Sequence, residues 1–497
     1  MSSATLPPGL RQRTVSPLAL MSFAIGLALS TSLAGTAQAQ TDDGGRLAAN
    51  LAEDTPERAP GQKSDPKTLE GGLWAESLKA EQQAKTSGER DLDPALNTYV
   101  DGVMTRLAGP YAGDLRVYVM DRPFFNAQVA PNGYAEVWTG LLLRVDTEDQ
   151  LAFVLGHEFG HFRHSHVLKT YQEIKAGQNA AMAASLLIAA VGVGAEMNAG
   201  SYQAIRDINS VTNGLISVTY LGTIAALMSY SRETEADADA YGMIYARQAG
   251  WYTGGNAILW QNVMDETKAS DFDKVRRGPS RINIFRDHPL DADRLTALAA
   301  QDKGFNHGAP STRTAEETKA ARIAYRAHIR PYLGAWLRDD LRRQDYGQTL
   351  FIIERLGRDG EDLGLLDFYK GEAYRLRDRD GTPDRDNAIK AYKAALTSPD
   401  APSETWRQLG EIYRRNGDAK NAVDAFKTYL RLAPTATDAW MVQDQMDTLA
   451  RTLPADAPPG SAPAAATPTS TPATGAMPAQ VPASTAATQT TSSGGTT

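Results

Sequence analysis

Residues 151–166, L-A-F-V-L-G-H-E-F-G-H-F-R-H-S-H, constrain the fold of this chain more than any other stretch. His157, Glu158 and His161 within it spell H-E-x-x-H. Residues four apart on a helix share a face, so both imidazoles would project to the same side. Two neutral ring nitrogens converging there make half of a zinc site, and Glu158 stands where it can take a proton from a water at the metal. The bland alternative is a surface helix with two solvated histidines. The flanking residues weigh against it: Leu151, Val154 and Leu155 form an apolar face, and Thr147 with Gln150 fits a capping box. Asp146, Glu148 and Asp149 add negative charge at the positive end of the helix dipole. A helix beginning near Glu148 carries His157 and His161 in its third and fourth turns.

The 497 residues include no cysteine, so any metal must be held by histidine and carboxylate. A net charge of −8 without a basic block excludes a nucleic-acid binder driven by phosphate contacts. At the N-terminus, Arg11 and Arg13 precede an apolar stretch from Pro17 to Gly35, and Ala37-Gln38-Ala39 is a small-x-small cleavage site. Residues 1–39 are therefore expected to be a signal peptide cleaved near Ala39, with an uncleaved membrane anchor as the alternative. No cysteine follows for a lipid anchor. Export without disulfides suits a bacterial periplasm.

Residues 40–90 read as a loosely ordered lead-in with one helix-like patch around Leu73 to Ala84. Leu96, Tyr99, Val100, Val103, Met104 and Leu107 then follow a helical rhythm between Pro94 and the Gly109-Pro110 stop. Leu115, Val117 and Val119 alternate as in a strand, and 126–140 reads as two strand segments around the Pro131-Asn132-Gly133 turn. Such a strand either binds a peptide by β-augmentation or is an ordinary structural hairpin. Beyond the histidine helix, 176–195 and 208–231 are two uncharged stretches. Their polar content favours buried or membrane-surface helices, hence a peripheral membrane contact through 176–231, over a membrane-spanning hairpin.

An H-E-x-x-H site needs a third protein ligand and an open position. Residues 231–240, S-R-E-T-E-A-D-A-D-A, place Glu235 and Asp239 on one helix face. Glu235 is read as the third ligand and Asp239 as the hydrogen-bond partner that fixes a ligand histidine's tautomer, with Glu233 and Asp237 as competitors. The combination H-E-F-G-H, S-R-x-x-E-x-x-A-D, then His288-Pro289 with Arg294, resembles the HtpX/BepA-type zinc metalloproteases. The stretch N-A-Q-V-A-P-N-G-Y is similar to their N-A-x-x-x-P-x-G segment, although Gln128-Val129-Ala130 departs from their more apolar run. The resemblance spans roughly residues 90–300. It implies that His157, His161 and Glu235 bind one Zn2+ per chain and that Glu158 is the catalytic base. His288 would approach the metal either as an inhibitory fourth ligand or as an oxyanion stabiliser, and Arg294 would orient that loop or a carboxylate. His166 matches a histidine common in the family, whereas His164 has no counterpart and reads as a surface residue.

Toward the C-terminus, Trp406, Leu409, Gly410, Tyr413, Ala422, Phe426 and Pro434 fall on the positions of a 34-residue tetratricopeptide repeat. Gly371, Tyr374, Ala388, Tyr392 and Ala395 fit the same template with five extra residues in the turn between its helices. Residues 330–357 read as a degenerate further repeat. Beyond Asp456 a Pro/Ala/Thr/Ser-rich tail without charge reads as a disordered tether.

The expected class is α+β, mainly α: a zincin-like (gluzincin) metalloprotease domain at 91–305 with a small sheet, an α-solenoid of tetratricopeptide repeats at 306–453, and the tail from 454. The expected function is a periplasmic zinc endopeptidase that cleaves misfolded or stalled envelope and outer-membrane proteins. The repeats would engage those protein or peptide substrates, or the outer-membrane assembly machinery and its clients. The alternatives are a chaperone or scaffold with a latent site, separable by Glu158→Gln and repeat deletion, and an integral-membrane HtpX-like protease, separable by extraction at high pH.

Overall fold

The alternating residues and the Pro131-Asn132-Gly133 turn form a three-stranded sheet in the computed structural model, which describes residues 57–175, 230–277, 292–305 and 311–453. Strands β1 (Arg116–Met120), β2 (Ala127–Val129) and β3 (Tyr134–Trp138) lie in the order β1-β3-β2. β1 runs parallel and β2 antiparallel to β3. Gly133 closes the turn at φ 80°, where a side chain would be strained, and its N–H donates to the Ala130 carbonyl at 2.9 Å. The register aligns Val119, Val137 and Ala127, so one face is aliphatic and joins the main core.

The opposite face carries Tyr118, Met120, Tyr134 and Glu136 and is covered by α1 (Leu69–Thr86). This corrects the lead-in: over 57–90 the chain is packed, not loose. Helix α1 buries only Leu73 and Ala84 as apolar residues of any size, but it also buries Glu81. Arg116 donates to the Glu81 carboxylate through Nε and Nη2 at 2.9 and 2.8 Å, and the Tyr118 hydroxyl donates at 2.8 Å. Burial alone would raise the Glu81 carboxyl; hydrogen bonds from Arg116, Lys85 and Tyr118 outweigh it and hold it down to about 2. The face is held by charge-assisted hydrogen bonds as much as by apolar packing.

Helix α2 (Pro94–Ala108) is capped by Asp93, which accepts from the Ala95 and Leu96 N–H groups, and buries Leu96, Val100, Val103, Met104 and Leu107. The short helix α3 (Thr139–Arg144) leads into α4 (Glu148–Arg163), whose side chains are buried from Asp149 to Phe162. Thr147 Oγ1 accepts from the Gln150 N–H at 3.3 Å as the expected box requires, but Gln150 Oε1 accepts from the Asp146 N–H instead of the cap residue's own. Helices α5 (His166–Lys175), α6 (Arg232–Gln248), α7 (Asn256–Lys268), α8 (Asp273–Arg276) and α9 (Ala292–Phe305) complete this half.

The second half is helical among the described residues: α10 (Ala315–Ile329), α11 (Leu333–Arg342), α12 (Tyr346–Gly357), α13 (Leu363–Arg377), α14 (Asp384–Ala395), α15 (Glu404–Arg415), α16 (Ala419–Leu432) and α17 (Ala439–Ala450). Helices α13 and α14 form one hairpin, α15 and α16 the next. A Cβ on Gly371 would lie 2.5 Å from the Tyr392 ring, and one on Gly410 2.5 Å from the Phe426 ring. The same small-against-aromatic contact thus recurs in both hairpins.

The two halves share one core. Arg144 of α3, 3% exposed, donates from Nε to both Glu266 oxygens of α7 at 2.9 Å and from Nη2 to Asp340 of α11 at 2.7 Å. Its Nη1 donates to the Gly140 carbonyl, the Tyr325 hydroxyl of α10 donates to the Leu142 carbonyl, and Arg355 of α12 pairs with Asp146.

Among the described residues no helix is long and apolar enough to cross a membrane. The expected signal peptide (1–39), the uncharged stretches before Tyr230, the His288 loop and the 454–497 tail lie outside the described residues.

Candidate metal centre

Helix α4 presents His157, Glu158 and His161, and α6 crosses it to present Glu235 and Asp239. The crossing is tight because neither helix has a side chain at the contact. A Cβ on Gly156 would meet the Gly242 carbonyl oxygen at 3.0 Å, and one on Gly242 would lie 2.8 Å from the His157 nitrogen and 3.0 Å from the Phe153 oxygen. Gly242→Ala is therefore expected to pry the helices apart, lowering unfolding free energy by about 1–3 kcal/mol. Gly102→Ala on the open face of α2, where a Cβ meets nothing within 4 Å, should instead stabilise by about 0.4–1 kcal/mol. Chemical denaturation of the two variants checks the opposite signs; equal effects would sink the argument.

The crossing brings three of the expected residues to one point. His157 Nε2 lies 3.0 Å from His161 Nε2, 3.7 Å separates it from Glu235 Oε2, and His161 Nε2 is 3.6 Å from Glu235 Oε1. All three residues are buried, Glu235 completely, and Glu158 beside them is 2% exposed. On its far side His157 Nδ1 donates to Asp239 Oδ1 at 2.9 Å, which leaves Nε2 as a lone pair aimed at the cluster. Two ring nitrogens and a carboxylate, all acceptors toward one point and all within 4.8 Å of one another, suit a cation. His, His and Glu without any thiolate is the donor set of a catalytic rather than a structural zinc site.

Arg294, arriving on α9, joins the same cluster. Its Nε and Nη2 donate to Asp239 Oδ2 and Oδ1 at 2.8 Å each, and its Nη1 lies 3.0 Å from Glu235 Oε2. Burial by itself would raise the Asp239 carboxyl, but the Arg294 charge and the His157 hydrogen bond overcome it and hold it at about 2. Asp239 is thus an ionised acceptor at any physiological pH. Arg294 touches a carboxylate here; His288, its expected companion, lies outside the described residues, and so does any contact between the two.

Two further histidines lie beside the cluster, and one of them departs from its reading. His164 is not a surface residue: it is fully buried, stacked on Tyr241 at 3.6 Å between ring centroids, with Nε2 3.0 Å from the Tyr245 hydroxyl. Burial, then the Arg163 and Lys169 charges, push its imidazolium down to about 3. His166 is also buried, with Nδ1 3.0 Å from His161 Nδ1, while Tyr230 stacks on the other side of the His161 ring at 3.9 Å. Sequence reasoning gave Tyr230 no role; its place just before the Ser231 N-cap of α6 was the available signal.

Residues 91–302 match the family described as Peptidase family M48. A "Putative beta-barrel assembly-enhancing protease" of Vibrio cholerae is 28% identical over 213 residues, 41% of this chain and 38% of that protein. The human mitochondrial "Metalloendopeptidase OMA1" is 29% identical over 182 residues, 37% of this chain and 31% of that protein. "Metalloprotease LoiP" of Escherichia coli is 27% identical over 172 residues, 34% of this chain and 55% of that protein. The chain therefore spans between about a third and about half the length of these relatives. Over residues 91–302 the chain carries a Peptidase family M48 domain, and it resembles the beta-barrel assembly-enhancing type of that family.

Proposed function

We propose that the chain is a zinc endopeptidase of the bacterial periplasm, acting on envelope proteins that its C-terminal helices recruit. The observation that carries the reading is the convergence of His157, His161 and Glu235 within 4.8 Å beside the buried Glu158. Zinc held by those three residues would polarise the scissile carbonyl and acidify a water. Glu158 would be the base that takes a proton from an attacking water and returns it to the leaving amine. Asp239 keeps His157 in the tautomer that presents Nε2, and Arg294 holds Asp239 in place through its two parallel hydrogen bonds. Strand β2, at the edge of the sheet and packed against α4, offers main-chain groups on which an extended substrate can lie.

Recruitment is assigned to the helical half. The repeated Gly371–Tyr392 and Gly410–Phe426 contacts support tetratricopeptide repeats, in which small residues let paired helices approach. Between α11, α13 and α15 lies a groove of about 700 Å3 lined by Arg338, Leu365, Phe368, Tyr369 and Arg407 among others, apolar and cationic enough for an extended polypeptide. The periplasmic assignment rests on the signal-like residues 1–39 and the absence of cysteine, and the envelope substrates on the name of the Vibrio relative.

Metal removal tests the central claim. The purified protein should hold one zinc per chain, lose cleavage of an unfolded polypeptide such as casein on chelation, and regain it with added zinc. Cleavage that survives complete removal of the metal would refute it.

A further inference from the structure

His161 is backed differently from its partner ligand. His157 rests on a carboxylate, whereas His161 rests on another imidazole: the two Nδ1 atoms of His161 and His166 stand 3.0 Å apart. With no cation between them, two ring nitrogens at that distance share one proton, since two would clash and none would leave lone pair against lone pair; the His157 and His161 Nε2 atoms, also 3.0 Å apart, can both stay unprotonated only because the proposed metal would bind both. A neutral His161 that offers Nε2 to a metal must carry its proton on Nδ1. His166 Nδ1 is then the acceptor, and His166 carries its own proton on Nε2.

We infer that His166 is a positioning residue, the acceptor that fixes the tautomer and ring orientation of His161. The inference rests on the proposed metal site and extends it.

The surrounding chain is shaped to deliver this contact. Helix α4 ends at Arg163 and α5 begins at His166, so only His164 and Ser165 separate them. Ser165 takes φ 54°, a left-handed conformation costly for a residue with a Cβ, and thereby turns His166 back toward the helix just left. His164 anchors the turn by stacking on Tyr241 and bonding to Tyr245, both on α6. Tyr230 closes the remaining side of the His161 ring, parallel to it within 14°. The ring is thus held by a stack on its face and by one acceptor at its edge. A 180° turn about Cβ–Cγ would present the same ring plane to Tyr230 while exchanging nitrogen for carbon, and the His166 contact distinguishes the two orientations.

The test uses full-length protein with Glu158→Gln, so that self-cleavage does not intervene, and reads zinc affinity by competition with a chelating dye. His166→Leu fills the space without accepting. His166→Asn places Oδ1 close to where Nδ1 stood and still accepts. His166→Leu should weaken zinc binding by about 10–100-fold, with His166→Asn restoring it to within about threefold of the parent. Thermal unfolding of the metal-free forms should not separate the two variants. Equal affinity in all three proteins, or equal weakening by Leu and Asn, overturns the inference while leaving the metal site standing. A parent that binds no zinc overturns the metal-site reading and this inference with it. A second measurement needs no variant at position 166: with 15N-labelled histidine, the zinc-loaded parent should show His161 protonated on Nδ1 and His166 on Nε2. The reverse assignment overturns it.

Discussion

Glu158→Gln should abolish cleavage while sparing the metal. The exchange keeps size and shape in a position that is 2% exposed, so neither the packing of α4 nor the convergence of His157, His161 and Glu235 is disturbed. What is lost is the ability to take up a proton, because a carboxamide cannot serve as a base. General-base removal costs about 10²–10⁴-fold in kcat. Zinc content and unfolding temperature should match the wild type, and turnover of an unfolded substrate should fall to background. If the variant kept full activity, Glu158 would not be the base; if it lost zinc, the site would depend on Glu158 in a way the geometry does not suggest.

Arg144→Met should be as severe for stability. Arg144 reaches Glu266 and Asp340 at once from a position without solvent, and burial lowers while both carboxylates raise its affinity for the proton, with the rise prevailing. A methionine of similar length fills the space but leaves two buried carboxylates facing, among the described residues, Arg343 as the remaining cation, 2.8 Å from Asp340 and 3.9 Å from Glu266, with the Thr349 hydroxyl donating to Asp340 at 2.7 Å. Breaking a buried ion pair from one side costs about 3–5 kcal/mol. Because the three residues come from α3, α7 and α11, both halves should loosen together, read as a lowered unfolding temperature and as proteolytic nicking in each half. An unchanged unfolding temperature would show that the network is not structural.

The elements legible in the sequence were those whose periodicity met a single apolar face. Helix α2, the β1 alternation, the turn at Gly133 and the start of α4 at Thr147 stand where the residues placed them. The convergence of Glu235 and Asp239 on the histidine helix was legible as spacing, but the reason they can approach was not. It lies in Gly156 and Gly242, which read as weak helix formers until the crossing shows what they leave room for. Helix α1 was legible as a helix-like patch around Leu73 to Ala84, but its packing was not, because its buried face is largely polar and Glu81 is inside by virtue of Arg116 and Tyr118, remote in sequence. His164 was misread because the lack of a counterpart in the resembling family says nothing of packing: it caps α4 and is buried against Tyr241 and Tyr245 of α6. The Arg144 network was invisible because isolated charges read as surface residues, and only the folded chain shows three of them meeting.

The junction around Arg144 has a consequence for how a substrate would be measured. A repeat domain hung on a flexible linker could offer any part of a captured chain to the cutting site. Here α11 and α12 are fastened to α3 and to the loop after it, so the groove near Tyr369 and the centre at His157 keep a fixed separation. On the proposed function, a polypeptide gripped at one and cut at the other would be read like tape against a ruler, with the scissile bond chosen by its distance from the grip as much as by the side chains beside it.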